Sequence, residues 1–248
     1  AVVSVHTSRT VVYRFSNPFY DMFYGPQRKQ FSGWGTGVII DPAGIVITND
    51  HVVRMQSGQI GDIDITLTDG RKFRAEVIRE FPDQDLAVLD IDGKDLPYLQ
   101  FASSSGISPG LTVLAIGNPF GDALNGGLSY SEPTVTRGII SATKRNLDVP
   151  TEDGGIRYLR NMLQTDAAIN PENSDGTLIN LQDELIGINT AIFSETGSSV
   201  GIGFAIPSDR IQLIYEYVRA EKDIGQGYTS LTIDDLPERA VNSLNFEG

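Results

Sequence analysis

Cysteine is absent from the 248 residues, and tryptophan occurs once. Without cysteine the chain can form neither disulfides nor thiolate-based catalytic or zinc sites, and its redox compartment stays undetermined. Basic residues are also few, since 19 lysines and arginines stand against 32 acidic residues, for a net charge of −13. This charge repels phosphate backbones and anionic lipid, so we expect no nucleic-acid partner.

Long apolar segments are missing as well. The longest, such as "TVLAIG" and "VGIGFAIP", are far shorter than the roughly 20 residues of a membrane-spanning helix, so we expect no membrane span. The opening "AVVSVHTSRT" has no basic head followed by an apolar core. We therefore expect that a targeting segment has been cleaved or lies outside this sequence.

Short β-rich segments between turn signals dominate the chain, and helix is scarce. They include "VVSVHT", "GTGVIID", "IVITN", "IDITLT", "LAVLDI", "LTVLAIG" and "ELIGINTAI". This pattern predicts an all-β barrel or sandwich. Asp69-Gly70 in "LTDGRKF" predicts a tight hairpin with positive φ at both turn residues.

One helix is predicted after Pro207, with Ser208 as its cap and apolar residues at three-to-four spacing. The residues of this apolar face are Ile211, Ile214, Tyr217 and Val218. A change of composition at "SSSGISPG", residues 103–110, predicts a boundary between two halves of the domain. No internal repeat accompanies it.

Three polar residues beside strand-like segments are candidates for chemistry. His51 in "TNDHVV" follows "IVIT", Asp85 in "DQDLAVLDI" precedes an apolar strand, and Ser174 in "ENSDG" lies in a polar loop. Considered singly, a turn histidine, a strand-edge aspartate and a loop serine are each more often structural than catalytic.

Together the three residues fit one mechanism. A serine hydroxyl needs a base, and the base needs a carboxylate that fixes its tautomer and stabilises the imidazolium. The chain order His51, Asp85, Ser174 is that of the chymotrypsin-like double β-barrel. The one other histidine, His6, lies near the beginning of the sequence, so His51 is the better candidate for the base.

A longer series of motifs occurs in a characteristic order. It consists of "GTGVIIDPAGIVITNDHVV", "DLAVLDI", "VLAIGNPFG", "TVTRGIISA", "LQTDAAIN" followed by "NS", "ELIGINTAI" and "VGIGFAIPSD". The series resembles the HtrA/Deg family of serine proteases from Ala1 to about Lys222. The resemblance implies that residues 1–222 form two six-stranded β-barrels of the chymotrypsin-like fold, with a short C-terminal helix.

The same resemblance implies the chemistry of the site. It makes His51 the general base, Asp85 its orienting carboxylate and Ser174 the nucleophile, with no metal and no organic cofactor. It implies an ATP-independent endopeptidase that acts on unfolded or damaged polypeptides in the periplasm or an equivalent organelle compartment. Backbone N–H groups of Glu172, Asn173 and Ser174 are the implied oxyanion hole.

Two further features follow from the resemblance. The primary specificity pocket corresponds to Ile169 and to Asn189, Thr190, Ala191 and Ile192 of "INTAI". Its apolar walls and lack of a buried acid predict cleavage after Val, Ala or Leu. The assembly implied is a homotrimer or larger homo-oligomer, built with the aromatic loop "FSNPFYDMFYGPQRKQF", whose composition is equally typical of disorder. Its aromatic residues are Phe15, Phe19, Tyr20, Phe23 and Tyr24.

The nucleophile loop departs from the family pattern of glycine, asparagine, serine, glycine, glycine. Here Glu172 and Asp175 replace two of the glycines around Asn173 and Ser174. An acid beside the oxyanion predicts a slow protease. The alternative is a catalytically silent relative that binds unfolded chains as a chaperone or assembly subunit.

Two other segments also match parts of the family. "KRNLDVPTEDGGIRYLR", residues 144–160, has few apolar anchors and matches the sensor loop, or is an ordinary flexible loop. Residues 223–248 resemble a linker and the opening of a PDZ domain, and the chain is expected to be truncated there. This fragment lacks the second strand and long helix that peptide capture requires, so we expect it not to bind C-termini in the usual way.

Overall fold

The computed structural model describes residues 1–13, 27–54, 59–103, 106–118, 132–150, 154–170, 173–192 and 201–224. Predictions about the aromatic residues 15–24, Glu172 and the PDZ-like segment from 225 onward lie outside these residues. The described chain is mostly β-strand, as the sequence predicts. None of the helices within it combines the length and the apolar character needed to cross a membrane.

Six antiparallel strands form a closed barrel in the order β1-β2-β3-β6-β5-β4. The strands are β1 (Val2–Tyr13), β2 (Gln27–Ile39), β3 (Ile45–Thr48), β4 (Asp62–Leu67), β5 (Lys72–Phe81) and β6 (Leu86–Ile91). Alternate residues point inward, and Val5, Ile65 and Leu89 are fully buried in the core. The first predicted barrel is thus confirmed.

The β4–β5 hairpin turns at Asp69-Gly70, where the sequence predicts the turn. Gly70 has a φ of 88°, whereas Asp69 is not among the residues with positive φ, so the prediction for Asp69 is wrong. The Asp69 carboxylate instead accepts a hydrogen bond from the backbone N–H of Arg71 at 3.0 Å. Such a side-chain bond closes the turn without a left-handed aspartate.

The remaining strands form a seven-stranded sheet, the second sheet, in the order β11-β8-β9-β10-β13-β12-β7, and β11 also pairs with β12. They are β7 (Gln100–Phe101), β8 (Thr112–Gly117), β9 (Thr134–Pro150), β10 (Ile156–Thr165), β11 (Thr177–Ile179), β12 (Glu184–Ile192) and β13 (Gly203–Pro207). The chain passes from the barrel to this sheet between Ile91 and Gln100, just before the predicted boundary.

Strands β9 and β10 extend through most of the segment predicted as a loop at 144–160. Residues 144–150 continue β9 and residues 156–160 begin β10, with Arg157 opposite Val149. The hairpin is held by backbone pairing and by three of its few apolar side chains, Leu147, Val149 and Leu159, which pack against the core. The low apolar content of the segment therefore gave a wrong secondary structure, because it does not show that these few residues face the core.

The predicted helix is present as α2 (Ser208–Ile224), preceded by the short α1 (Asp50–Val53). Ile211, Ile214 and Val218 of α2 are buried in a core shared with both sheets, which confirms the predicted apolar face. Ser208 does not cap the helix as predicted, since its Oγ is buried without a hydrogen-bond partner among the described residues. The helix begins at this residue rather than after it.

Candidate active site

His51 lies on α1, the single helical turn that follows β3. Asn49 precedes the turn with extended backbone, yet its side chain makes no cap bond. Its amide Nδ2 instead donates to the backbone oxygen and to Oδ2 of Asp85, both at 3.0 Å. Val52 and Val53 are buried and anchor the turn, while the His51 side chain is 48% exposed. The imidazole is thereby held rigidly and remains accessible.

Asp85 follows the 3₁₀ turn Pro82–Gln84 in a left-handed conformation, with a φ of 55°, and is 2% exposed. His51 Nδ1 lies 2.9 Å from its Oδ1 and 3.0 Å from its Oδ2. Burial alone would raise the pKa of Asp85, but hydrogen bonds from His51 and Thr190 and the charge of Arg157 hold that pKa below its ordinary value. The carboxylate is therefore charged and faces the ring.

The second sheet supplies two more partners to Asp85. The Thr190 hydroxyl on β12 donates to Asp85 Oδ2. A terminal guanidinium nitrogen of Arg157 on β10 lies 2.9 Å from Oδ1. Sequence reasoning placed Thr190 only in the substrate pocket and missed Asn49 and Arg157, because contacts between residues far apart in sequence leave no local pattern.

Ser174 lies in a tight turn, residues 173–176, which we call the nucleophile turn. The N–H groups at its start already donate hydrogen bonds within the protein. The N–H groups of Asn173 and Ser174 both donate to the carbonyl of Asn170, at 3.0 and 2.7 Å. The buried Asn173 side chain fixes this turn: its Oδ1 accepts from the Asn170 N–H, and its Nδ2 donates to Thr136 Oγ1 and the Ala168 carbonyl. Two predicted oxyanion donors, the N–H groups of Asn173 and Ser174, are thus not available to a substrate.

Two glycines allow the turn to pack directly on β8. A Cβ at Gly117 would lie 2.4 Å from Asn173 Cα, and a Cβ at Gly176 would lie 2.1 Å from the Ile116 carbonyl oxygen. Both distances are shorter than atoms tolerate, so any larger residue would displace the turn. Gly176 is therefore required by the packing of the turn against β8. The residue before it, Asp175, is an acid.

Asp175 is that acid, and it occupies the far side of the imidazole. Its Oδ1 lies 3.0 Å from His51 Nε2 as an ion-pair contact, without hydrogen-bond alignment. Its φ is 63°, a left-handed conformation that favours glycine. Within the described residues, no hydrogen bond joins Ser174 Oγ to His51. The structure therefore brings His51 and Asp85 together and places Asp175 where a nucleophile would bind Nε2.

His51 is poised between two acids. Burial acts to lower its pKa, but contacts with Asp175 and Asp85, together with their negative charges, raise the pKa of His51 well above its ordinary value. A higher pKa keeps more of the imidazole protonated near neutral pH. Protonated imidazole cannot accept a proton from serine.

The predicted pocket residues lie beside the nucleophile turn. Ile169 is fully buried, and a Cβ at Gly203 would lie 2.5 Å from its Cγ1. Asn189 is buried and its amide donates to the carbonyls of Asn173 and Thr177 at 3.4 and 3.5 Å. The backbone of Ala191 and Ile192 continues β12. Their role in substrate binding remains a prediction, as does that of Glu172, which lies outside the described residues.

Comparison with known proteins places this geometry in a family. The trypsin-like peptidase domain family matches residues 35–188. The probable periplasmic serine endoprotease DegP-like of Rickettsia prowazekii is 42% identical over 215 residues, which cover 86% of this chain and 39% of that protein. The periplasmic serine endoprotease DegP of Salmonella typhimurium is 44% identical over 190 residues, covering 76% of this chain and 36% of that protein.

A solved structure extends the match over nearly the whole chain. The HtrA-type protease AlgW with decapeptide is 36% identical and superposes with a TM-score of 0.67, covering 99% of this chain and 72% of that chain. By contrast, the chain spans about two fifths of the length of the two curated relatives. The matched domain, the identities and the shared fold together show that this chain belongs to the HtrA/Deg family of trypsin-like serine proteases.

Proposed function

We propose that this chain is the protease part of a serine endopeptidase of protein quality control, which cleaves unfolded or damaged proteins through Ser174. The observation that carries the proposal is the 2.9 Å contact between His51 Nδ1 and the buried carboxylate of Asp85. Such a contact orients the ring and leaves Nε2 as the base. The nucleophile turn lies on that side of the ring, which it contacts through Asp175.

The proposed reaction is acyl transfer. Ser174 Oγ attacks the peptide carbonyl and gives its proton to His51 Nε2, and Asp85 stabilises the imidazolium. His51 then protonates the leaving amine, and a water molecule hydrolyses the acyl-enzyme by the same route. Backbone N–H groups in the 172–174 segment stabilise the oxyanion.

This reaction requires two changes from the arrangement described. Asp175 must leave His51 Nε2, and the N–H groups of Asn173 and Ser174 must leave the Asn170 carbonyl. Both contacts stabilise the state that does not react, so they add to the barrier. Slow catalysis is therefore part of the proposal, and the sequence adds a further acid, Glu172, to the predicted oxyanion loop.

The wider setting is proposed from the relatives and from the fold. The names of the curated relatives support an extracytoplasmic, periplasm-like location. The family resemblance supports a homotrimer or larger homo-oligomer acting on polypeptides after Val, Ala or Leu. The pairing of β11 with β12 supports the interpretation of the second sheet as the second six-stranded barrel, with β7 added at its edge.

The alternative function is a silent subunit that binds unfolded chains without cleaving them, which the occupied Nε2 and Ser174 N–H favour. Labelling with a fluorophosphonate probe distinguishes the two. We expect labelling and casein cleavage in the parent chain and in the control Ser32→Ala, whose serine is exposed on β2, and neither in Ser174→Ala. An unlabelled parent that still prevents aggregation of an unfolded protein supports the alternative.

A further inference from the structure

Arg157 brings a positive charge to the catalytic pair. It is the second residue of β10, and its backbone is paired with Val149 of β9. Its guanidinium lies 2.9 Å from Asp85 Oδ1, the same oxygen that lies 2.9 Å from His51 Nδ1. The side chains of Arg157 and Asp85 are 22% and 2% exposed. Solvent and salt therefore screen this ion pair only in part.

Asp85 has enough hydrogen-bond donors without Arg157. The ring of His51, the amide of Asn49 and the hydroxyl of Thr190 already bind the two carboxylate oxygens. Arg157 is therefore not needed to satisfy a buried acid. What it adds is a full positive charge, because the amide and the hydroxyl are neutral.

We infer that Arg157 is a positioning residue that sets, through Asp85, how tightly His51 holds its proton; the inference rests on the proposed protease function. In that reaction the negative charge of Asp85 stabilises the imidazolium. A permanent cation on the same carboxylate opposes this stabilisation. Arg157 thus keeps His51 available as a base.

The other charged groups around His51 remain in place when Arg157 is changed. Asp175 contacts Nε2 from the nucleophile turn and acts in the opposite direction to Arg157. Asp50, next to His51 on α1, is paired with Arg54, which also binds Glu80 on β5. Replacing Arg157 alone therefore removes one cation from an otherwise constant set of charges.

The direct test is an NMR titration of the His51 ring in the chain carrying Ser174→Ala, which prevents self-cleavage. The chain has two histidines, and His6, whose ring centroid lies 4.0 Å from that of the tilted Trp34 ring, serves as an internal reference. We expect Arg157→Gln to raise the pKa of His51 by about half a unit or more. Arg157→Lys, which keeps the charge, should restore most of the parent value.

Arg160→Gln is the matched control, because Arg160 lies on the same strand and pairs with Asp148 instead of Asp85. It should leave the pKa of His51 unchanged. If Arg157→Gln does not fold, Arg157→Met keeps the aliphatic stem and is judged by the same criterion. If the pKa of His51 is the same in Arg157→Gln (or Arg157→Met) as in Arg160→Gln and the parent, the inference is wrong.

A second readout uses the chain with Ser174 intact. The acid limb of the pH profile of kcat/KM should move to higher pH in Arg157→Gln, and not in Arg160→Gln, by the shift seen in the titration. An acid limb that stays at the parent position while the His51 titration shifts also overturns the inference. If neither parent nor variants cleave or label, the proposed function fails, whereas the titration still decides the role of Arg157.

Discussion

The two halves of the candidate site differ in how ready they are for chemistry. His51 and Asp85, both supplied by the closed barrel, are joined by contacts of 2.9 and 3.0 Å and supported by Asn49. In the nucleophile turn of the second sheet, by contrast, the backbone donors are already occupied, since the Ser174 N–H donates to the Asn170 carbonyl. One half is assembled for proton transfer, and the other half is held in a state that does not react.

The difference teaches that the His51–Asp85 pair and the turn that carries Ser174 are held by separate sets of contacts. The His51–Asp85 pair is held by the buried side chain of Asn49 and by two partly buried side chains of the second sheet, Thr190 and Arg157. The nucleophile turn is anchored by the buried Asn173 side chain, whereas the Ser174 N–H and Asp175 make contacts that a bound substrate can replace at modest cost. Weakening the contacts of the His51–Asp85 pair should therefore lower activity, whereas removing the Asp175 contact should raise it.

The largest effect on activity is expected from disrupting the His51–Asp85 pair. Asp85→Asn keeps the shape of the side chain but no longer stabilises the imidazolium, and it favours the wrong ring tautomer. By analogy with the triad of chymotrypsin-like proteases, we expect kcat to fall about 10⁴-fold. Peptide hydrolysis by the purified variant measures this, with Asp83→Asn on the neighbouring 3₁₀ turn as the control. Near-parent activity in Asp85→Asn contradicts the proposed triad.

The next largest effect is a gain in activity from removing the contact between Asp175 and His51. Asp175→Gly removes the carboxylate at His51 Nε2 and relieves a φ of 63°. We expect kcat/KM to rise about tenfold or more, equivalent to about 1.4 kcal/mol or more of barrier. Glu172→Gly should add to this gain, and added salt should help the parent more than the double variant.

Two control variants separate charge from backbone strain. Asp175→Asn removes the charge while keeping a residue that tolerates the left-handed conformation. Asp183→Gly relieves a similar φ of 60° in the β11–β12 turn, and it should leave kcat/KM unchanged. If the parent labels readily with fluorophosphonate while the double variant Glu172→Gly/Asp175→Gly cleaves no faster than the parent, the turn is already competent.

The sequence predicted the regular parts of this molecule well, because their signals are local. Short β-rich segments between turn signals predicted the strands of the barrel, and three-to-four spacing of apolar residues predicted α2. His51 and Asp85 were identified by chain order and family resemblance, and the structure brings their side chains into contact.

Other features depended on contacts that local patterns do not encode. The hairpin at 144–160 is stabilised by backbone pairing and by a few apolar side chains that reach the core, whereas its largely polar composition indicated a loop. The positive φ of Asp175, one of the two acids that replace glycines in this loop, is visible only in the structure. Arg157 lies 72 positions after Asp85, and only the fold reveals the ion pair between them.

A smaller loss is expected from removing a support of the assembled half. Thr190→Val deletes the hydroxyl that donates to Asp85 Oδ2 and nearly preserves the volume of the side chain. Because Asn49 and His51 still bind the carboxylate, we expect kcat to fall only about tenfold. Thr190→Ser keeps the hydroxyl and should retain most activity. A Thr190→Val variant as active as Thr190→Ser shows that the hydroxyl does not support Asp85.

The smallest effect is on stability, and its sign depends on pH. Folding raises the pKa of His51, partly through Asp175. A group with a raised pKa in the folded state stabilises the fold fully below its unfolded pKa of about 6.5, and this stabilisation is lost as pH rises through the folded value. The parent should therefore exceed Asp175→Asn in free energy of unfolding more at about pH 6 than at about pH 9. Since the His51 side chain is 48% exposed, solvent screening should limit this change in the difference to under about 1 kcal/mol.

Urea unfolding at both pH values measures this change in the free energy of unfolding, with Asp183→Asn as a control whose difference from the parent should not vary with pH. Equal differences for Asp175→Asn at the two pH values show that Asp175 does not hold the proton on His51, and the contrast between the two halves then rests on the backbone of the nucleophile turn alone.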